Sequence, residues 1–426
     1  MYENQWESVA HHTSDMCAHS GSSSFFVSIP GSHIVVNGPL WCYFYAVRYV
    51  ERARWGASIH FSCTQPNQEA LVYGAEKDIL RTLASLKGKK LERIFLESTV
   101  GVSLIGDDLK GIAAKAGMDC PVYTLDSVGL SGGFTEGYRK AFDVVLREMK
   151  EKKKKPMAVN LLGTTEAWMK GREDALEMKR LLEEAGYHVT AMAGAGSTWE
   201  EIMHMPEASL NIVVRPDLGL PAAKRMEKDF SIPYIVTGMP YGLAGTKAWL
   251  AKIIEALPGG SMEEIEKEAA FRQNHISSAG DFQALWGALW FDRILIAGDG
   301  AMAAGLAEAV RSEWADTERL TVILPDDAGE ALVTKAADDI WVCGRDEDRI
   351  NPLFHTWPGG LVMASSMEEA ELFRRHRPFL SCPVAYPAYE LPVLSDLPFC
   401  GFRGAEYLCE RLWQAKMEGM RRQRKA

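Results

Sequence analysis

Short apolar runs alternate along this chain with longer stretches in which apolar residues recur with the period of an α-helix. Gly or Pro residues mark the turns between them, and the clearest helical stretches are 166–185, 221–229 and 301–311. Strands that alternate with helices form parallel sheets from right-handed βαβ units, so the pattern predicts an α/β fold. The predicted strands are 58–63, 93–97, 122–125, 157–162, 188–193, 210–214, 234–237, 293–297, 320–324, 339–342 and 379–384.

Two breaks divide this pattern into three units. A charged block that ends in proline, 151–156, directly precedes a new apolar run, and turn residues fill 257–261. Each resulting unit has the size of a doubly wound domain. We therefore expect three Rossmann-like domains with mainly parallel sheets, at 1–155, 156–270 and 271–426.

Charge and hydropathy narrow the possible partners. The 426 residues include 47 Lys and Arg against 57 Asp and Glu, which gives a net charge of −10. An acidic chain has no general attraction for phosphate backbones, so nucleic acid is not an expected partner. No apolar run reaches the roughly 20 residues of a membrane span, and the first residues lack the features of a secretory signal. We expect a cytoplasmic protein without membrane contact, whose eight cysteines stay reduced.

Several common catalytic motifs are missing or incomplete. The Gly-rich segment 297–305 follows a strand and opens a helix, but it lacks the third glycine of the dinucleotide fingerprint, which favours a tight turn over a phosphate site. No P-loop motif occurs, so the chain is not expected to hydrolyse ATP itself. His11, His12 and His19 flank Cys17 without zinc-ligand spacing, and no CxxC, HExxH or GxSxG motif is present.

The first domain contains a cysteine in a setting that suits a metal centre. An apolar strand that begins at His33 runs into a Gly-Pro turn, and Cys42 follows at the start of a helix. Free backbone N–H groups and the helix dipole favour a thiolate at such a position. Thiolates hold iron–sulfur clusters, so Cys42 is a candidate ligand.

Motifs spread over nearly the whole chain occur in a characteristic order. They are 69–78, 104–109, 133–141, 159–163, 181–186, 208–213, 232–242, 382–387 and 401–405. In this order they resemble the nitrogenase component 1 superfamily. That family includes the subunits of the nitrogenase molybdenum–iron protein, their cofactor-assembly scaffold, dark-operative protochlorophyllide reductase, the nickel-sirohydrochlorin reductive cyclase and methylthio-alkane reductase.

The resemblance implies an iron–sulfur cluster shared at a subunit interface. Family members hold it with one N-terminal cysteine, one after Gly-Pro, and one four residues before a Leu-Ile-Gly-Asp-Asp motif. Cys17 and Cys42 match the first two positions, and their spacing resembles that of β-type subunits. The third position falls on Val100, and Cys63 is the spare cysteine that could substitute for it. Three alternatives follow: two ligands toward a shared cluster, an altered ligand set that includes Cys63, or a lost cluster.

Oxygen donors close to the vacant third position are weak iron ligands. They are Ser98, Thr99 and Ser103. The remaining cysteines are interpreted as structural; they are Cys120, Cys343, Cys382, Cys400 and Cys409. Asp107 and Asp108 are expected to cap the helix that follows them.

The residues that anchor a second metallocofactor in the family that this chain resembles have no match here. The α-type nitrogenase subunit anchors its cofactor with a cysteine of the second domain and a histidine of the third. Residues 156–260 contain no cysteine here, and His275 and His355 do not match that anchor. The chain therefore resembles a β-type subunit, or one that holds its substrate without such ligands.

The function implied by this resemblance is that of one subunit of a nitrogenase-like oxidoreductase. Such a complex pairs sister subunits as a heterotetramer or homo-oligomer. It receives low-potential electrons from a separate ATP-dependent iron–sulfur reductase and reduces a small molecule or tetrapyrrole. Two alternatives remain: a non-catalytic scaffold that assembles a metallocofactor, and a cluster-free binding protein on the same fold.

Overall fold

The computed structural model describes residues 16–53, 56–126, 132–283, 287–333, 336–388 and 391–423. His11 and His12 lie outside the described residues. The described chain forms three sheets in which every strand pair is parallel, as the alternation of strands and helices predicts. Each sheet falls within one of the three predicted domains.

The first sheet has the strand order β2-β1-β3-β4. Its strands are β1 (Ser32–Asn37), β2 (Phe61–Cys63), β3 (Arg93–Ser98) and β4 (Val122–Leu125). Its helices are α1 (Ala18–Val27), α2 (Leu40–Ala53), α3 (Gln68–Tyr73), α4 (Glu76–Ala84), α5 (Val100–Ser103), α6 (Leu109–Ala116) and α7 (Phe134–Leu146).

The second sheet has the order β6-β5-β7-β8. Its strands are β5 (Ala158–Leu162), β6 (His188–Met192), β7 (Leu210–Val213) and β8 (Tyr234–Val236). Its helices are α8 (Gly171–Glu184), α9 (Trp199–Met203), α10 (Pro216–Phe230) and α11 (Leu243–Ala256). Helix α12 (Glu263–Gln283) then crosses the boundary predicted at residue 270.

The third sheet has five strands in the order β11-β10-β9-β12-β13. Its strands are β9 (Trp290–Ala297), β10 (Asp316–Leu324), β11 (Asp339–Val342), β12 (Leu361–Met363) and β13 (Leu380–Ser381). Its helices are α13 (Gly300–Ala309), α14 (Glu347–Thr356), α15 (Ser366–Arg374) and α16 (Gly401–Gln423).

Helices α1 and α7 pack with their backbones in close contact, and this contact fixes the N-terminal part of the described chain. All ten residues of α1 are buried. A Cβ added at Gly21 would overlap the carbonyl oxygen of Phe134, and a Cβ added at Gly137 would overlap that of Ala18. Each helix therefore presents a glycine to the backbone of the other, which allows the close approach.

A buried histidine makes the pairing of β1 and β2 sensitive to acid. His33 Nε2 lies 2.8 Å from Ser62 Oγ across these strands. Burial, with smaller contributions from Lys89 and His60, lowers the pKa of His33 to about 4.

The free energy of unfolding is therefore expected to fall by about 2 kcal/mol between pH 6.5 and pH 4 because of His33. The unfolded chain takes up the proton near pH 6.5, whereas the folded chain keeps the imidazole neutral until about pH 4. Urea unfolding at both pH values measures the loss, and His33→Gln should reduce it. An equal loss of stability in His33→Gln and in the wild type would contradict this prediction.

Candidate functional site

The carboxyl edge of the first sheet brings together the positions that the sequence singled out. In the order β2-β1-β3-β4 the chain changes direction between β1 and β3, and such a switch point leaves a crevice at the carboxyl ends of the strands. Cys42 follows β1, Cys63 ends β2, and Val100 follows β3. Cys17 reaches the same edge from α1.

Cys17 is the N-cap of α1. Its carbonyl oxygen accepts hydrogen bonds from the backbone N–H groups of Ser20 and Gly21, at 3.0 and 3.3 Å. Its side chain is exposed, and Sγ lies 3.4 Å from Ser20 Oγ. Cys17 also forms an isolated antiparallel bridge with Gly133, just before α7. The thiol is therefore accessible, while the backbone that carries it is fixed.

Cys42 lies in the first turn of α2, where its backbone N–H donates to Pro39 O at 3.0 Å. Burial raises the pKa of the Cys42 thiol, contact with the Thr99 side chain lowers it, and the nearby Cys17 thiol raises it. Cys17 and Cys42 are therefore near enough to influence each other electrostatically. The Gly-Pro turn is close to Thr99, because a Cβ at Gly38 would overlap the Thr99 side chain.

Cys63 borders the same turn. Its Sγ lies 3.2 Å from Gly38 O, the carbonyl just before the proline. Burial raises the pKa of the Cys63 thiol, a backbone hydrogen bond with Gln65 lowers it, and the Cys42 thiol raises it. The spare cysteine is therefore a neighbour of Cys42, although its thiol already has the Gly38 carbonyl as a hydrogen-bond acceptor.

Val100 stands at the third ligand position, where it is the first residue of the short helix α5 and is 40% exposed. Two of the three oxygen donors near it, Ser98 and Ser103, have other contacts. Ser103 Oγ donates to the carbonyl of Thr99 at 3.0 Å. Asn37 Nδ2 donates to Ser98 Oγ at 3.0 Å. The third position thus presents an apolar side chain to solvent.

A buried carboxylate lies under this edge and anchors α1. Glu97, near the end of β3, is completely buried. Ser22 Oγ donates to Glu97 Oε2 at 2.5 Å, Ser23 Oγ donates to Oε1, and His19 Nδ1 lies 3.2 Å from Oε1. Three polar side chains of α1 thus converge on one acidic residue of the sheet, close to the helix start that carries Cys17.

Within the described residues, no group of three or more His, Cys, Asp or Glu side chains is placed to hold a metal ion. Thiols are the donors that iron–sulfur clusters use, but the described residues do not complete a site. Of the three thiols at this edge, that of Cys17 is exposed and those of Cys42 and Cys63 are partly buried. A metal ion at such an edge would favour the thiolates that burial disfavours.

Exposed aromatic side chains surround the Gly-Pro turn at the start of α2. We call Leu40, Trp41, Phe44 and Tyr45 the aromatic patch; Trp41 is 68% exposed, and its ring contacts those of Phe44 and Tyr45. Contiguous exposed apolar surface of this kind is typical of interaction sites. This patch was not predicted, although the run from Leu40 to Tyr45 is rich in large apolar and aromatic residues.

Other sequence-predicted features have structural roles. Asp108 caps α6 by accepting the Gly111 N–H at 3.0 Å, as predicted, whereas Asp107 accepts the N–H of Ala75. The Gly-rich segment forms a tight turn, and its Asp299 accepts the Met302 N–H at the start of α13.

Two histidines of the third predicted domain, His275 and His355, and the remaining cysteines lie away from this edge. His275 is paired with Glu406, and His355 contacts Arg375. Of the cysteines interpreted as structural, Cys382, Cys400 and Cys409 are buried.

The family model for the nitrogenase component 1 type oxidoreductase matches residues 17–416. This chain belongs to that family. The resemblance inferred from the order of motifs is thereby confirmed, and the match includes both Cys17 and Cys42.

Family relatives differ in what they do. The chain is 30% identical over 267 residues to the nitrogenase iron-molybdenum cofactor biosynthesis protein NifE of Clostridium pasteurianum, which covers 60% of this chain and 56% of that protein. It is 25% identical over 340 residues to one of the subunits of the light-independent protochlorophyllide reductase of Acidiphilium rubrum, which covers 78% of this chain and 66% of that protein. These matches thus span between half and two thirds of the length of the two relatives.

Solved structures of nitrogenase Cp1 share the fold described above. A structure of nitrogenase Cp1 at pH 6.5 superposes with a TM-score of 0.79 at 16% identity, and covers 96% of this chain and 94% of that one. At this identity the likeness shows the fold alone. Across the part of this family member that the structure describes, no helix has both the length and the apolar character needed to span a membrane.

Proposed function

We propose that this chain is a subunit of a nitrogenase-like oxidoreductase and that Cys17 and Cys42 are ligands of an iron–sulfur cluster shared with a sister subunit. The supporting observation is that Cys17 and Cys42, each at the start of a helix, are near enough to interact electrostatically, and that an exposed aromatic patch adjoins Cys42. A partner seated on the patch would bury the thiols and complete the ligand set. Cluster potential depends on this burial and on the surrounding hydrogen bonds.

Low-potential electrons would reach this cluster from an ATP-dependent iron–sulfur reductase, since this chain has no P-loop motif of its own. The substrate would be a small molecule or a tetrapyrrole, and the expected setting is the cytoplasm. Cys63 is a third candidate ligand, because it adjoins Cys42 and could compensate for Val100. The absence of cysteine from residues 156–260 supports a β-type role.

Iron retention tests this proposal directly. The chain is purified anaerobically together with its sister subunit, and iron per complex is measured for the wild type and for a Cys17→Ser/Cys42→Ser variant. We expect the double variant to lose most of the iron because both of its ligands to the shared cluster are removed. Cys120→Ser and Cys343→Ser are matched controls, since these cysteines lie elsewhere and should not affect the iron content.

A Cys63→Ser variant separates the two ligand sets. Partial iron loss would favour the altered set that includes Cys63, and full retention would favour two ligands from this chain. A double variant at Cys17 and Cys42 that retains full iron and full activity would contradict the proposal. A colourless wild-type complex without iron would support the cluster-free alternative.

A scaffold that assembles a metallocofactor is the second candidate. Val100 at the third ligand position favours it, and one relative is named as a cofactor biosynthesis protein. Stoichiometric transfer of bound cofactor to an acceptor protein would support this role. Turnover of a substrate by the purified complex, dependent on reductant and ATP, would exclude it.

A further inference from the structure

A small cavity lies where the second and third sheets face each other. The order of the second sheet changes direction between β5 and β7, and that of the third between β9 and β12, so both switch points open toward this region. The cavity measures about 30 Å³, which is room for about two water molecules. Its lining includes Met16, Trp168, Arg215, Tyr241, Asp299 and Met302.

Arg215 is the cationic group in this lining. It lies two residues after the end of β7 and is the N-cap of α10, and only 2% of it is exposed. Its Nε lies 3.4 Å from Asp299 Oδ1 and has no hydrogen-bond partner. Buried polar groups in folded proteins nearly always have hydrogen-bond partners. A guanidinium that lines a cavity without such a partner is therefore a candidate to bind a ligand in that cavity.

The geometry of the guanidinium leaves one edge for a ligand. A guanidinium presents two edges that can each bind a carboxylate with paired N–H groups. Asp299 faces the Nε side, and its Oδ1 also accepts the Met302 N–H at 3.0 Å, so it is fixed in place. An aspartate held in this way orients the arginine and leaves the two terminal nitrogens available.

We propose that this cavity binds the carboxylate group of a small ligand through the terminal nitrogens of Arg215. The room available fits a group the size of formate, and the apolar side chains around it exclude water from the ion pair. A larger ligand would place only its carboxylate here. This inference names the ligand chemistry of the proposed oxidoreductase, but binding by the isolated chain requires no cluster.

Carboxyl groups near Arg215 determine how the affinity depends on pH. Burial is the main cause that raises the pKa of Asp174 to about 6 and that of Asp217 to about 7. Asp299 also raises the pKa of Asp217, while Arg215 lowers it, and Asp326 and Arg139 act on the same group. As pH rises from 6 to 8 these groups lose protons and repel an incoming carboxylate, so the affinity should fall.

Calorimetric titration of the isolated chain with sodium formate at constant chloride concentration tests the proposal. Formamide, which has the same size but no charge, is the ligand control. We expect formate to bind and formamide not to bind, with weaker formate binding at pH 8 than at pH 6. Arg215→Met should weaken formate binding about tenfold or more because the charge-assisted hydrogen bonds are lost.

Two further variants keep the test decisive if Arg215→Met does not fold. Arg215→Lys retains the charge but not the paired donors, so it should also bind formate more weakly. Ala385→Met fills the cavity without touching the charged groups and should abolish binding. Equal binding of formate and formamide, no binding to the wild type, or unchanged binding in these variants would overturn the proposal. The iron measurements above are independent of this result.

Discussion

Replacing Gly137 by alanine is expected to lower the free energy of unfolding by about 3 kcal/mol and to displace Cys17. A Cβ at this position would overlap the carbonyl oxygen of Ala18, which is backbone and cannot rotate aside as a side chain could. Helix α1 must therefore move away from α7. Because Ala18 directly follows Cys17, this movement changes the position of the thiol relative to Cys42. Urea unfolding measures the first effect, and the yield of cross-linking by a short bifunctional thiol reagent measures the second.

Gly245→Ala is the matched control for this substitution. Gly245 also lies in a helix, α11, but nothing lies within 4 Å of the position that its Cβ would occupy. Alanine there should increase the free energy of unfolding by about 0.5 kcal/mol. The unfolded backbone has less conformational freedom with alanine than with glycine, so folding costs less entropy. If Gly137→Ala and Gly245→Ala have the same stability and the same cross-linking yield, close packing of α1 and α7 does not position Cys17.

The sequence pattern predicted most of the fold because the interior strands are continuous apolar runs. The strand predicted at 122–125 agrees with β4 in full, and that at 339–342 agrees with β11. Strand β12 was missed, although it is an interior strand of the third sheet, between β9 and β13. It has only three residues after Gly359 and Gly360, so its apolar run is too short to be distinguished from a loop.

Two predicted strands are shorter in the structure by three or more residues. The strand predicted at 58–63 begins only at Phe61, because Ala57–His60 forms a 3-10 helix. The strand predicted at 379–384 is limited to β13, since pairing with the short β12 provides only two partners. Sheet length is set by the neighbouring strand, and a single apolar run does not contain that information.

The candidate site was predictable where its chemistry is local and was missed where it is not. A Gly-Pro turn before a cysteine is visible in the sequence, and the structure places that turn at the sheet edge with Cys17 and Cys63 nearby. The contact between Glu97 and the serines of α1 joins residues more than seventy positions apart, so no local pattern indicates it. Arg215 and Asp299 are also far apart in the sequence, and they meet because the second and third sheets face each other.

Replacing Trp41 by aspartate is expected to weaken association with the sister subunit by about 30-fold or more. Trp41 is the most exposed member of the aromatic patch and lies next to Cys42. Large aromatic side chains at the centre of an interface often dominate the binding energy, and a carboxylate there would be buried without a partner. The stability of the isolated chain should change little, because the side chain is mostly in solvent. Sedimentation or calorimetry with the sister subunit measures the dissociation constant.

Phe373→Asp is the matched control for Trp41→Asp, since it places the same charge at an exposed aromatic position beside another sheet. Phe373 is on α15, one of the helices of the third sheet, and is 77% exposed. If only Trp41→Asp weakens association, and iron is lost with the partner, the aromatic patch and the thiols form one interface. If both variants associate like the wild type, the sister subunit binds another face and Cys17 and Cys42 face solvent in the complex. The proposed interface and the proposed shared cluster use the same surface, so this pair of variants tests both.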